Sequence, residues 1–213
     1  MIHRSNPSHA FAAARRGVIA ALCVLLLWPS LATAQFSDSY NFLKAIRDKD
    51  GSKVMDFLGK PGSTIINTRD PSTGETALHI VVSARDLSWM AFLLAKGANP
   101  NAVDNGAMTP LMVATNLRFV EGAELLLEKG AQVDKTGSGG ETALIRAVHL
   151  RDVPMIRLLV TNGANPDKRD TLAGMSARDY AVRDARNPAI TEIFDSAKKT
   201  APAASRPVQG PSL

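Results

Sequence analysis

Apolar positions recur in this chain every 33 residues, and several landmarks keep that step together. Thr76-Ala77-Leu78-His79, Thr109-Pro110-Leu111-Met112 and Thr142-Ala143-Leu144-Ile145 each open a block. Leu93-Leu94, Leu126-Leu127 and Leu159-Val160 follow inside the blocks, and Gly97-Ala98, Gly130-Ala131 and Gly163-Ala164 close them. One such unit has too little apolar surface to bury by itself, so it must stack on its neighbours. The pattern predicts a short helical solenoid, which presents a long surface instead of a deep pocket.

The local chemistry agrees. Thr76, Thr109 and Thr142 suit a helix start, where a hydroxyl satisfies an orphan backbone N–H. Pro110 fits the first helical turn, where its missing donor costs nothing, and Pro154 and Pro188 fit the start of a second helix for the same reason. Gly97, Gly130 and Gly163 suit the left-handed residue that ends a helix. Leu78, Leu111 and Leu144 form one expected core row, Val81, Ala114, Ala147 and Ala181 a second, and Leu93, Leu126, Leu159 and Ile193 a third. Small residues in the second row let neighbouring helices approach to ~8–10 Å. A bulky replacement of Ala114 is expected to overpack that seam at a cost of about 1–3 kcal/mol.

The period, the T-P-L-H type of head and the Gly-Ala after a leucine pair resemble the ankyrin repeat. That resemblance implies an all-α ankyrin-repeat solenoid in which each unit is a hairpin finger, an inner helix, a tight turn and an outer helix. About five stacked helix pairs are expected over residues 35–197. The units run 38–68 as a degenerate cap, then 69–103, 104–136 and 137–169 as full repeats, and 170–197 as a second cap. In the caps, Phe42, Ala45, Phe57 and Leu58 keep the frame upstream, while Ser176-Ala177-Arg178-Asp179 and Ile193-Phe194 keep it downstream. Arg47-Asp48-Lys49-Asp50 and Arg178 are expected to make the outer ends polar and so stop the stack from growing.

The termini read differently. Arg15 and Arg16 precede an apolar run from Val18 to Trp28, Pro29 interrupts it, and Ala32-Thr33-Ala34 offers small residues to a signal peptidase. Residues 1–34 are therefore expected to be a cleavable signal peptide, cut between Ala34 and Gln35. The run is too short to span a bilayer as a helix. Cys23 lies inside it with Leu22 before it, which does not suit a lipid-modified cysteine, while general secretory and twin-arginine export both stay open. Residues 198–213, with Pro202, Pro207 and Pro211 among Ala, Ser and Gly, are expected to be a disordered tail.

Loss of the signal changes the charge picture. It takes Arg4, Arg15 and Arg16 of the 25 Lys+Arg, leaving 22 against 20 Asp+Glu, a balance too even for a global nucleic-acid field. It also takes the single cysteine, so the mature chain is indifferent to an oxidising compartment. The expected location is the periplasm, with no stable membrane anchor.

Catalytic chemistry is not visible. The mature chain keeps two histidines, His79 and His149, two repeats apart and at different repeat positions, so they do not share a metal ion. His79 reads as a hydrogen-bonding residue between adjacent fingers. Gly137-Ser138-Gly139-Gly140 lacks the Lys-Ser/Thr of a phosphate loop and falls at a finger tip. No calcium-loop spacing occurs. No enzyme activity, metal or cofactor is expected.

In the family that the chain resembles, partners lie against the concave side. Carried over by position, the finger candidates are Ser72, Thr73, Glu75, Asn105, Met108, Ser138, Glu141, Leu172 and Met175. The inner-helix candidates are Ser83, Ala84, Asn116, Leu117, His149, Leu150, Arg183 and Asp184. Met108, Leu117 and Leu150 belong to no core row, so they read either as an apolar docking patch or as side chains folded onto a neighbouring repeat. Arg85, Arg118 and Arg151 stand in step where the family usually has glycine. Each is expected either to cap its own inner helix, with Asp86 and Asp152 as counter-charges, or to meet a partner. The expected function is an exported adaptor, monomeric alone, that binds another protein. A regulatory or protective subunit of an exported enzyme is the second reading, and a binder of a small ligand or cell-wall fragment the third.

Overall fold

The computed structural model describes the backbone of residues 28–184 and 188–200, with side chains over 38–184 and 188–196. Ten α-helices, in five antiparallel pairs, make up the described residues. The inner helices are α1 (Trp28–Arg47), α3 (Ala77–Ser83), α5 (Pro110–Asn116), α7 (Ala143–His149) and α9 (Ala177–Asp184). The outer helices are α2 (Gly51–Leu58), α4 (Leu87–Ala95), α6 (Val120–Glu128), α8 (Val153–Thr161) and α10 (Pro188–Thr200). Each inner helix packs on its own outer helix and on the inner helix of the next pair.

The three apolar rows lie in the core. Leu78, Leu111, Leu144, Ala114, Ala147, Leu93, Leu126 and Leu159 are fully or almost fully buried, and the stack closes on Phe42 at one end and Phe194 at the other. These rows belong to one continuous buried cluster that runs through the stack. Helices of seven to nine residues are too short to persist alone, so their stability comes from this packing.

Caps set the helix ends. Thr109 and Thr142 hydroxyls accept from the Met112 and Ile145 N–H groups, both at 3.2 Å. Thr76 uses another device: its own N–H donates to His79 Nδ1 at 3.2 Å. At the far end of α4, Gly97 lies at φ +88°, its N–H reaching the Leu94 carbonyl at 3.1 Å while the Ala98 N–H reaches the Leu93 carbonyl at 2.9 Å. That pair of bonds satisfies carbonyls the helix would otherwise leave open. Gly130 and Gly163 repeat the arrangement.

The fingers are hairpin-like but too short for a strand ladder. A backbone bond closes each at its base, the N–H of Asp70, Asp104, Gly137 and Asp170 donating to the carbonyl of Glu75, Met108, Glu141 and Met175 at 2.8–3.0 Å. Gly137-Ser138-Gly139-Gly140 does form a finger tip, with Gly139 and Gly140 at positive φ.

The ends differ in part from expectation. Helix α1 includes Pro29, Ala34 and Gln35. Residues 1–27, which hold most of the expected signal, lie outside the described residues. Helix α10 runs on to Thr200, past the boundary placed at 198; residues 201–213 lie outside the description.

The polar cap residues also do more than face water. Arg47 reaches forward to Asp70 at 2.9 Å and Lys49 to Asp86 at 2.5 Å, both in the next repeat. Arg178 lies over the Phe194 ring at 5.6 Å and pairs with Asp167 and Asp195, each at 2.8 Å, so it ties the last two helices together.

Candidate functional site

The finger side of the stack is tied by short amide and carboxylate side chains. Asn67 Nδ2 donates to the Gly97 carbonyl at 3.3 Å, and its Oδ1 accepts from the Asn99 N–H at 2.8 Å. Asn101 does the same one repeat on, to the Gly130 carbonyl at 3.0 Å and from the Gln132 N–H at 2.7 Å. Asp134 takes the third place, accepting from the Asn165 N–H at 3.0 Å. This ladder escaped the sequence reading, although Asn67, Asn101 and Asp134 recur at nearly the repeat period.

A second set organises the fingers themselves. Asp70 Oδ1 accepts from the Ser72 hydroxyl at 2.6 Å, and the Ser72 and Arg47 bonds hold its carboxyl well below the usual carboxylate range. Asp104 accepts from the Gly106 and Met108 N–H groups, both at 2.8 Å. Asp170 receives the Tyr180 hydroxyl at 2.5 Å, which lowers the carboxyl and raises the phenol.

His79 is 1% exposed and links two fingers. With Nδ1 accepting from Thr76, its Nε2 is the donor to the Met108 carbonyl at 3.0 Å. Burial pushes the imidazole down, outweighing that bond and the carboxylates of Asp104 and Glu75.

The turn side has different chemistry. Lys49, Arg85, Arg118 and Arg151 all lie at left-handed φ of 51–56°, the position where glycine is relaxed. None of the three arginines caps its own helix. Arg85 Nη1 reaches the Leu117 carbonyl at 3.4 Å, and Arg118 Nη2 reaches the Leu150 carbonyl at 2.7 Å, each at the end of the next inner helix. Arg151 instead grips Asp184 with two bonds, one of them 2.8 Å from Nη2 to Oδ1. Asp86 is taken by Lys49, and Asp152 caps α8 through the Met155 N–H at 3.2 Å, so neither faces the arginine beside it.

Among the other candidates, Asn105 is exposed yet works as a strut. Its N–H donates to the Thr73 carbonyl at 2.9 Å and its side-chain amide to the Ser72 carbonyl at 3.0 Å. Met108 is half-buried and packs on the core, so it follows the folded-back reading. Asn116 is exposed and accepts from Arg146 Nη1 at 3.3 Å. Leu117 is 37% exposed, Leu150 half-buried, and the finger residue Leu172 is 85% exposed.

The His149 ring lies 4.4 Å from that of Tyr180 at a tilt of 58° and, with Val148, Arg151, Arg183 and Asp184, lines an open cleft of about 260 Å³. Among the described residues no group of three His, Cys, Asp or Glu side chains is placed to hold a metal ion, and no helix is long and apolar enough to cross a membrane.

The comparison with known families accounts for the repeat. Residues 11–137 match a family described as ankyrin repeats (3 copies), and residues 139–171 match a single ankyrin repeat.

Proposed function

The chain belongs to the ankyrin-repeat family, whose repeats generally mediate protein–protein interaction, and from that premise we propose that it is an exported adaptor whose concave side docks another protein. Leu117 carries the reading. It is an apolar side chain left 37% exposed at the end of an inner helix, flanked by polar Asn116 and Arg118, while Tyr40, Met55, Leu87, Leu172 and Val182 are exposed elsewhere among the described residues. Leu150 holds the same place one repeat along.

Interface energy concentrates in a few central residues, often worth ~2 kcal/mol or more each. Leu117→Asp with Leu150→Asp is therefore expected to abolish partner capture while helical signal and melting stay near wild type. Leu126→Asp, in the core, is expected to unfold the stack. A double variant that folds and still captures the partner overturns the docking assignment.

Export is part of the same proposal. The arginine pair, apolar run and Ala32-Thr33-Ala34 site support cleavage before Gln35, with the periplasm as destination. Intact-mass measurement of the exported form checks it; a chain still beginning at Met1 overturns it.

A further inference from the structure

The four cations on the turn side share one backbone geometry but not one electrostatic state. At the ends, Lys49 and Arg151 are each matched by a carboxylate, Asp86 and Asp184. In the middle, Arg85 and Arg118 spend their bonds on backbone carbonyls, which are neutral acceptors. Arg85 also lies over the Phe119 ring at 5.0 Å, a contact that leaves its charge in place. Among the described residues no carboxylate lies within ion-pairing distance of either guanidinium. The centre of this edge therefore carries two exposed guanidiniums that form no ion pair among the described residues, with Leu117, partly exposed, next to Arg118 and offering its carbonyl to Arg85.

We propose, resting on the protein-docking reading above, that this edge seats an acidic, extended segment of the partner protein. Its spacing follows from the stack. Adjacent helices are ~8–10 Å apart, and a chain extended as polyproline II has three residues per turn at ~3.1 Å each, so carboxylates three residues apart share one face about 9 Å apart and meet Arg85 and Arg118 in turn. A guanidinium has five N–H donors, and one internal bond leaves room for a bidentate carboxylate. An apolar side chain between the two acids covers Leu117. The occupant is thus an acidic-apolar-acidic segment, recognised by charge at the rim and by Leu117 between.

The full chain can be tested by fluorescence anisotropy with a short labelled peptide carrying two glutamates three residues apart and a leucine between them. Binding is expected, and it weakens as salt rises because the pairing is exposed. Arg85→Gly with Arg118→Gly is expected to weaken it about tenfold or more, since glycine relaxes the left-handed backbone and keeps the fold. Arg151→Gly, whose charge is already matched, is expected to change it by less than about twofold.

The proposal falls if the wild type ignores the peptide or binds a lysine version equally well. It also falls if the double glycine variant binds as the wild type does, or if a single-stranded oligonucleotide of equal charge displaces the peptide at equal concentration. Failure here is separable from failure of the docking reading. If Leu117→Asp with Leu150→Asp blocks partner capture while the double glycine variant captures normally, the adaptor survives and the acidic segment does not.

Discussion

The finger side and the turn side of this stack do the same mechanical task with opposite chemistry. On the finger side, Asn67, Asn101 and His79 reach the next repeat with short neutral groups whose donors and acceptors are used in pairs. On the turn side, long cations at left-handed φ reach across with one or two donors and leave charge exposed in the middle of the edge. The asparagine ties hold the repeats in register with donor and acceptor both used. Cationic ties use part of a guanidinium's donors and keep its charge available. Position along the stack decides which cations are matched, because Asp86 and Asp184 fall opposite the terminal turns only.

The comparison breaks most readily at His79. His79→Ala strands the Met108 carbonyl and the Thr76 N–H in a buried site, and thermal or urea melting is expected to show a loss of about 2–3 kcal/mol. The pH dependence gives a sharper reading. The folded imidazole titrates below its ordinary value, so between the folded pKa and about 6.5 the unfolded chain binds the extra proton. The histidine's contribution is complete above the unfolded value and is lost as pH falls through that window. His79→Gln, which does not titrate, is expected to flatten that part of the stability–pH curve; an unchanged slope sinks the assignment.

A smaller effect is expected at Asn101. Removing its side chain by Asn101→Ala breaks two bonds to the next repeat, at Gly130 and Gln132, for about 1–2 kcal/mol. Hydrogen exchange should rise first in the Gly130–Asp134 loop. Uniform exchange across the whole stack would mean that the ladder is incidental.

The smallest change separates tie from strain on the turn side. Arg118→Gly and Arg118→Ala both remove the bond to the Leu150 carbonyl, but only glycine is relaxed at φ +51°. The glycine variant is expected to be about 1 kcal/mol more stable than the alanine variant in melts. Equal stabilities would show that the turn adjusts freely and that the left-handed backbone holds no strain.

Much of the fold was legible because it is periodic. Leu78, Leu111 and Leu144 had to face one another once the units stacked, and Gly97, Gly130 and Gly163 had to end helices because few other residues take φ near +88° cheaply. His79 was legible as a link between fingers for a similar reason, a polar ring in an otherwise apolar helix head. Asn105 and Met108 were not legible. Whether an exposed finger residue meets solvent or its neighbour depends on a carbonyl one repeat away, which the local pattern does not encode.

The sequence by itself determined the period, the helix ends, the core rows and the family, since these follow from residue size, helix capping and backbone freedom within one unit. Only the tertiary structure decided where the long polar side chains go. Arg85, Arg118 and Arg151 are indistinguishable at the level of spacing, yet two meet carbonyls and one meets Asp184. A guanidinium reaches past its own unit, so its partner, and whether its charge is cancelled or left exposed, is set by what the next repeat presents.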